Sequence, residues 1–159
     1  MPEKDDTAPP RLIASFGRRR GKPLRATKQG LMDTLLPQLL ISLPEGTLNP
    51  TALFATPSEK VWASQAQGGA SRVGGEAGGN APITEVWLEI GFGGGEHLAH
   101  QASLNPHVCI IGCEPYLNGV AGLLKHIDDE KLTNIRIYGD DARLLMAKLP
   151  DASISKAFI

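Results

Sequence analysis

VWLEIGFGGGE, residues 86 to 96, decides the fold. Its first half is a short apolar run of strand length, and its second half is a loop carrying Gly91, Gly93, Gly94 and Gly95. An apolar strand that enters a glycine loop and then opens a helix brings main-chain N–H groups up to a bound nucleotide or nucleoside. The other segments of the chain take their places relative to this loop.

Downstream the pattern alternates. A buried strand at residues 86–90 is followed by a helix at 96–103, a turn at Asn105-Pro106, and a second buried strand, VCIIGCE, at 108–114. Residues 116–129 place Leu117, Val120, Ala121, Leu124 and Ile127 on one helical face. A third strand at 134–138, a helix at 142–149 and a fourth strand from 154 to 159 complete the series. Strands and helices alternating at this spacing predict right-handed βαβ crossovers and a parallel sheet, the α/β class. A doubly wound sheet continues on the far side of its first strand, and the sequence reading leaves that side empty, the sheet being cut short in its fourth strand.

Upstream of the loop, charge is segregated. The net charge of −1 conceals a stretch from Arg11 to Gly30 with seven basic residues (Arg11, Arg18, Arg19, Arg20, Lys22, Arg25, Lys28) and no acid. The rest of the chain is strongly acidic. Such an arm either lays its cations along a phosphate backbone or is a solvated tail. From Thr27, a plausible helix cap, Leu31, Met32, Leu35, Leu36, Leu39 and Leu40 form an apolar stripe that Pro37 should kink or end near Leu36. Four segments follow: a basic arm over residues 1–30, a helix and irregular connector over 31–60, a glycine-rich flexible insertion over 61–84, and a cofactor-binding domain over 85–159.

Cys109 and Cys113, four apart in an apolar run, fit neither a disulfide framework nor a CxxC pair, and read as small buried residues of a reducing compartment. The chain lacks a run of about 18 apolar residues, and its first ten residues lack a signal-peptide core, which predicts a soluble cytoplasmic protein. His97 and His100 share a helical face, but no carboxylate or cysteine nearby in sequence completes a metal set.

In an open parallel sheet the ligand lies at the carboxyl ends of the strands, where four acids fall: Glu89, Glu114, Asp140 and Asp141. A carboxylate ending the second strand suits both ribose hydroxyls of NAD or of S-adenosylmethionine. Glu96 stands where a dinucleotide fingerprint has its third glycine, and its charge would repel a pyrophosphate. Carboxylates around the loop suit a ligand that carries a sulfonium and an ammonium. Glu89 could hold the amino-acid end of such a ligand, or only pin the loop; Asp141 could accept from an adenine amino group, or only cap the helix starting at Ala142. An NAD(P)-dependent oxidoreductase domain and a non-catalytic RNA-binding module remain the alternatives.

WLEIGFGGGEHL, IGCEPYLNGVAGLLKHI and LTNIRIYGDDARLLMAKLPDASI resemble, in order, the successive motifs of bacterial tRNA (guanine-N(7)-)-methyltransferases, and FGRRRGKPLR is similar to the basic arm of alphaproteobacterial members. The resemblance implies a class I, Rossmann-like methyltransferase that moves a methyl group from S-adenosylmethionine to a variable-loop guanosine of tRNA. The sequence does not give the oligomeric state, a monomer being favoured, and no metal site is expected. It carries cofactor contacts onto Glu89, Gly91, Gly93, Glu114 and Asp141, and RNA contacts onto Arg18, Arg19, Arg20, Lys22 and Arg25. In that family a Phe-Pro-Asp-Pro-Trp-type segment follows the fourth strand, and its Asp is assigned to cofactor or catalysis. This chain ends at Ile159, ahead of such a segment, so catalytic residues are expected beyond it. The expectation is that the chain by itself does not methylate tRNA: tritium from labelled S-adenosylmethionine should not enter unmodified tRNA above a no-enzyme control.

Overall fold

A computed structural model describes residues 18–54 and 85–159; residues 1–17 of the arm and the whole glycine-rich segment 61–84 lie outside the described residues. Four strands, β1 (Glu85–Ile90), β2 (Val108–Cys113), β3 (Ile135–Tyr138) and β4 (Lys156–Phe158), form one sheet in the order β3-β2-β1-β4. Every pairing is parallel, with Trp87 opposite Ile110 and Lys156, and Ile111 opposite Arg136. The sheet is the Rossmann-like α/β arrangement expected from the alternating pattern. One expectation is corrected: the far side of β1 is occupied by β4, so the chain crosses over within the described residues and a switch point opens at the end of β1.

Alternation along the strands divides the core into two layers. Trp87, Ile110, Ile135 and Ile137 face α3 (Glu96–Leu104) and α4 (Leu117–Glu130), which contribute Leu98, Ala102, Val120, Leu123, Leu124 and Ile127. Val86, Leu88, Cys109, Ile111, Cys113 and Tyr138 face the other way, against Ala142 and Leu145 of α5 (Ala142–Met146) and against Ile41 and Leu48. The two cysteines share that second face and are buried and unpaired. Burial pushes both thiols up to about 12, so neither is a thiolate nucleophile at neutral pH.

The N-terminal helical stripe is broken as the proline requires. Helix α1 (Ala26–Thr34) ends before Leu35, and a single turn, α2 (Leu36–Leu39), restarts with Pro37 in its first turn. Thr27 is not the cap. Arg25 is, without a side-chain bond, and its carbonyl already accepts from the Gln29 amide. Leu31, Leu35 and Leu39 are buried, but Leu40 is 45% exposed. The backbone turns extended at Leu40, and the Ile41 amide donates to the Ile137 carbonyl at 2.8 Å, giving β3 an outer partner.

The connector after α2 is more ordered than its prolines suggest. The Leu48 amide donates to the Lys148 carbonyl at 2.7 Å, and the chain then makes a 3-10 turn at Thr51–Phe54. Buried Arg136 donates from Nε to the Leu53 carbonyl (2.9 Å) and from a terminal nitrogen to Ile135 (2.8 Å), with its guanidinium 4.6 Å from the Phe54 ring centre. This draws the connector over the second core layer. Helix α5 is shorter than the predicted span because Leu149 and Lys148 close with i−3 bonds while Lys148 serves the connector. Strand β3 starts at Ile135, and just before it the side-chain amide of Asn134 donates to the carbonyls of Ala102, Asn105 and Val108 while its main-chain carbonyl accepts from the Ile110 amide.

Gly95 has a different constraint from the rest of the loop: its φ is +85°, and a Cβ there would sit 2.8 Å from the Leu123 backbone Cα, which no rotamer change relieves. Gly95→Ala is therefore expected to cost about 3 kcal/mol in urea unfolding. Gly46→Ala, at a position with open space and no positive φ, should stay within about 0.5 kcal/mol.

Candidate active site at the carboxyl end of the sheet

The glycine loop leaves β1 at Gly91, whose amide donates to the Cys113 carbonyl at 2.8 Å and so extends the β1–β2 ladder by one residue. Gly91 (φ +72°) and Gly93 (φ +56°) lie in the left-handed region with nothing near their missing side chains. Glycine is needed at those two positions for conformation rather than space. Buried Phe92 between them anchors the loop in the core.

What holds the loop is Glu114. The residue is only 8% exposed, and its two oxygens each accept a backbone N–H: Oε2 from Gly93 at 3.0 Å, Oε1 from Tyr116 at 2.9 Å. The role of pinning the loop, considered for Glu89, thus falls to Glu114. Each carboxylate oxygen keeps a second lone pair, so both can still take a hydroxyl. Helix α4 supports the loop from beneath. A Cβ on Gly119 would fall 2.2 Å from the Gly93 carbonyl oxygen, and one on Gly122 2.8 Å from that of Gly94, so two glycines let the loop rest on the helix.

Glu89, at the end of β1, is also buried, and its Oε2 lies 2.8 Å from Nδ1 of His97 in the first turn of α3. The carboxylate partner for His97 is therefore eight residues upstream, out of reach of any helix-spacing rule. Among the described residues no group of three or more His, Cys, Asp or Glu is arranged to hold a metal ion.

Two clefts meet at Ile90 and Gly91. One, of about 350 Å³, is lined by Cys113, Pro115, Asp140, Asp141, Ala142, Arg143 and Met146. The other, of about 550 Å³, is lined by Glu89, His97, Ala157, Phe158 and Ile159, between β1 and β4. Asp141 caps α5: Oδ1 accepts from the Arg143 amide at 3.0 Å, and the carboxylate is paired with the Arg143 guanidinium. The capping role foreseen for it is seen, on the wall of the first cleft.

The basic arm lies against this end of the sheet. The Arg19 carbonyl accepts from the Leu117 amide at 3.0 Å, at the start of α4. Asn118 then grips both sides of the next peptide pair, accepting from the Gly21 amide (2.8 Å) and donating to the Lys22 carbonyl (2.7 Å). A side chain at Gly21 would collide with the Tyr116 hydroxyl, 2.2 Å from an added Cβ. Arg19 pairs with Asp140 on the rim of the first cleft at 2.8 Å, whereas Arg18, Arg20, Lys22 and Arg25 are exposed. An exposed pair contributes at most about 1 kcal/mol, so the main-chain clamp of Asn118, which the sequence did not single out, sets the path.

Comparison with known proteins follows this geometry. Residues 84–159 match a family model described as "Putative methyltransferase". The chain is 42% identical to the tRNA (guanine-N(7)-)-methyltransferase of Caulobacter sp. (strain K31), across 92% of this chain and 53% of that protein. It is 41% identical to the enzyme of that name from Paramagnetospirillum magneticum, across 91% of the chain and 51% of the relative, and 39% identical to that of Rhodospirillum rubrum, across 100% and 52%. The chain is thus similar, at about 40% identity across most of its length, to tRNA (guanine-N(7)-)-methyltransferases. It spans about half the length of the curated relatives it matches. The match to a methyltransferase family implies a methyl donor. No helix among the described residues is long and apolar enough to cross a membrane.

The bonds from the Arg143 side chain and amide, ahead of its charge, hold the Asp141 carboxyl at about 2, below its ordinary 3.8. A group depressed on folding contributes stability that is fully present above its unfolded value and is lost as pH falls through its folded one. The urea midpoint should therefore drop between pH 4 and pH 2, and Asp141→Asn should flatten that drop.

Proposed function

We propose that this chain binds S-adenosylmethionine and serves the transfer of its methyl group to N7 of a variable-loop guanosine in tRNA. The observation that carries the cofactor assignment is the Glu114 carboxylate, buried and doubly bound to the loop at Gly93 and Tyr116 with acceptor capacity left on both oxygens. A vicinal diol is the ligand group that such a carboxylate takes. Glu89 and Glu96 flank the loop, a charge pattern that favours a sulfonium and an ammonium over a pyrophosphate. The NAD(P) alternative would put two phosphates against these acids.

The assignment of the second substrate draws on the names of the relatives and on the arm. The arm's exposed cations Arg18, Arg20, Lys22 and Arg25 stand beside the cleft rim, held there by Asn118, where they can track a phosphate backbone toward the cofactor. Guanine N7 presents its lone pair without losing a proton, so attack on the sulfonium methyl requires in-line placement rather than a general base. The methylated base is cationic, and surrounding carboxylates stabilise the charge as it develops. Glu89, Glu114 and the loop amides bind and orient the donor, and the arm orients the RNA.

Calorimetric titration of the chain should show S-adenosylhomocysteine binding and no NADH binding, and Glu114→Ala should abolish the former. Unmodified tRNA should bind the chain in a salt-dependent manner, and replacing Arg18, Arg20, Lys22 and Arg25 together by Ala should weaken that binding. NADH binding, or tRNA binding that the neutralised arm leaves unchanged, would overturn the reading.

A further inference from the structure

Asp141 lines the first cleft, yet its carboxylate is already spent. Oδ1 accepts from the Arg143 amide and from Nε, each at 3.0 Å, and Oδ2 accepts from the same Nε at 3.0 Å and from a terminal guanidinium nitrogen. A carboxylate offers about four lone-pair sites, and these contacts leave none for a ligand. Asp140, on the same wall, accepts from the Asp141 amide (2.9 Å) and from Arg19 (2.8 Å), both on Oδ1. Pro115, Ala142 and Met146 supply an apolar lining that suits the face of a flat ring. Glu114 stands between Cys113 and Pro115, two residues of that wall, so a diol on Glu114 brings its base into this cleft.

We propose that Arg143 is an internal competitor for the base of the methyl donor: its guanidinium occupies the Asp141 acceptors that a purine 6-amino group would take, and so sets how strongly the cleft separates a 6-amino from a 6-oxo purine. This rests on the donor reading above. The Arg143 side chain is 36% exposed, so water can receive the guanidinium when a ligand takes its place. Asp141 meanwhile keeps its bond from the Arg143 amide, which holds the start of α5 through the exchange. An acceptor that is open for only a fraction of the time lowers the apparent affinity by that fraction. A 6-oxo purine gains nothing from an open Asp141, because its oxygen has no hydrogen to donate and meets a carboxylate. Arg143 acts through Asp141 on selectivity and touches no reacting atom.

Calorimetry with S-adenosylhomocysteine and with S-inosylhomocysteine, its 6-oxo counterpart, separates the parts. Arg143→Ala should tighten the first about three- to tenfold and leave the second within about twofold. Asp141→Ser keeps a helix cap but removes the carboxylate, and in that background the tightening should vanish. In the unmutated chain the Arg143 Nε proton should exchange faster with water on adding S-adenosylhomocysteine and no faster with S-inosylhomocysteine, a readout that needs no variant to fold. The proposal is overturned, with the donor reading intact, if Arg143→Ala weakens S-adenosylhomocysteine or leaves it unchanged, if it tightens both ligands alike, if the tightening survives Asp141→Ser, or if the Nε proton does not respond. A preference for the 6-amino ligand that is lost in Asp140→Asn and untouched by Arg143→Ala would assign the amino group to Asp140 and overturn it equally. Failure of both ligands to bind the unmutated chain would overturn the donor reading and this proposal with it.

Discussion

The carboxylate of Glu114 is the constraint on which the site depends. A glycine loop with three left-handed residues has little conformational preference of its own, and ordering it costs entropy that the loop cannot recover through side-chain burial. Glu114 supplies the missing restraint from the end of the neighbouring strand by accepting from Gly93 and Tyr116. The same two bonds fix the loop and the approach to α4, so the loop and the helix beneath it are set together. Gly119 and Gly122 allow that close seating, and the left-handed Gly95 lets α3 begin immediately above Leu123.

The order of strands then gives the loop its meaning. With β2 on one side of β1 and β4 on the other, the loop stands at the place where the sheet reverses its winding. The two clefts that meet at Ile90 and Gly91 are consequences of that reversal. One is lined by the two acids that follow β3, and the other by Glu89, His97 and the end of β4. The basic arm reaches the same end because α4 begins there and Asn118, in its first turn, binds main chain rather than side chains. Such a clamp places the described part of the arm through its main chain and leaves Arg18, Arg20, Lys22 and Arg25 exposed.

The main elements were legible because their patterns are local. Apolar runs of strand length, glycine punctuation and the 3.6-residue stripe of α4 identify the βαβ series, and Pro37 marks the break between α1 and α2. The misreadings share a cause. Thr27 had the chemistry of a cap, but the cap lies two residues earlier at Arg25, whose carbonyl takes the first helical bond from the Gln29 amide. Leu40 belonged to the stripe by spacing but leaves the helix to pair with β3. The connector looked irregular, yet Arg136, 83 residues on from Leu53, organises it. In each case a partner distant in sequence, or a backbone bond that no side chain announces, decided the outcome.

The sequence by itself determined the class of the sheet, the position of the loop, and which acids stand at the strand ends, because periodicity and glycine placement are properties of neighbouring residues. Only the tertiary structure decided what those acids do. Glu114 holds the loop, Asp141 caps α5, and Glu89 turns to His97, according to which donor each meets across the fold. A carboxylate's role is set by its partners, and partners brought together by parallel crossovers come from residues far apart along the chain.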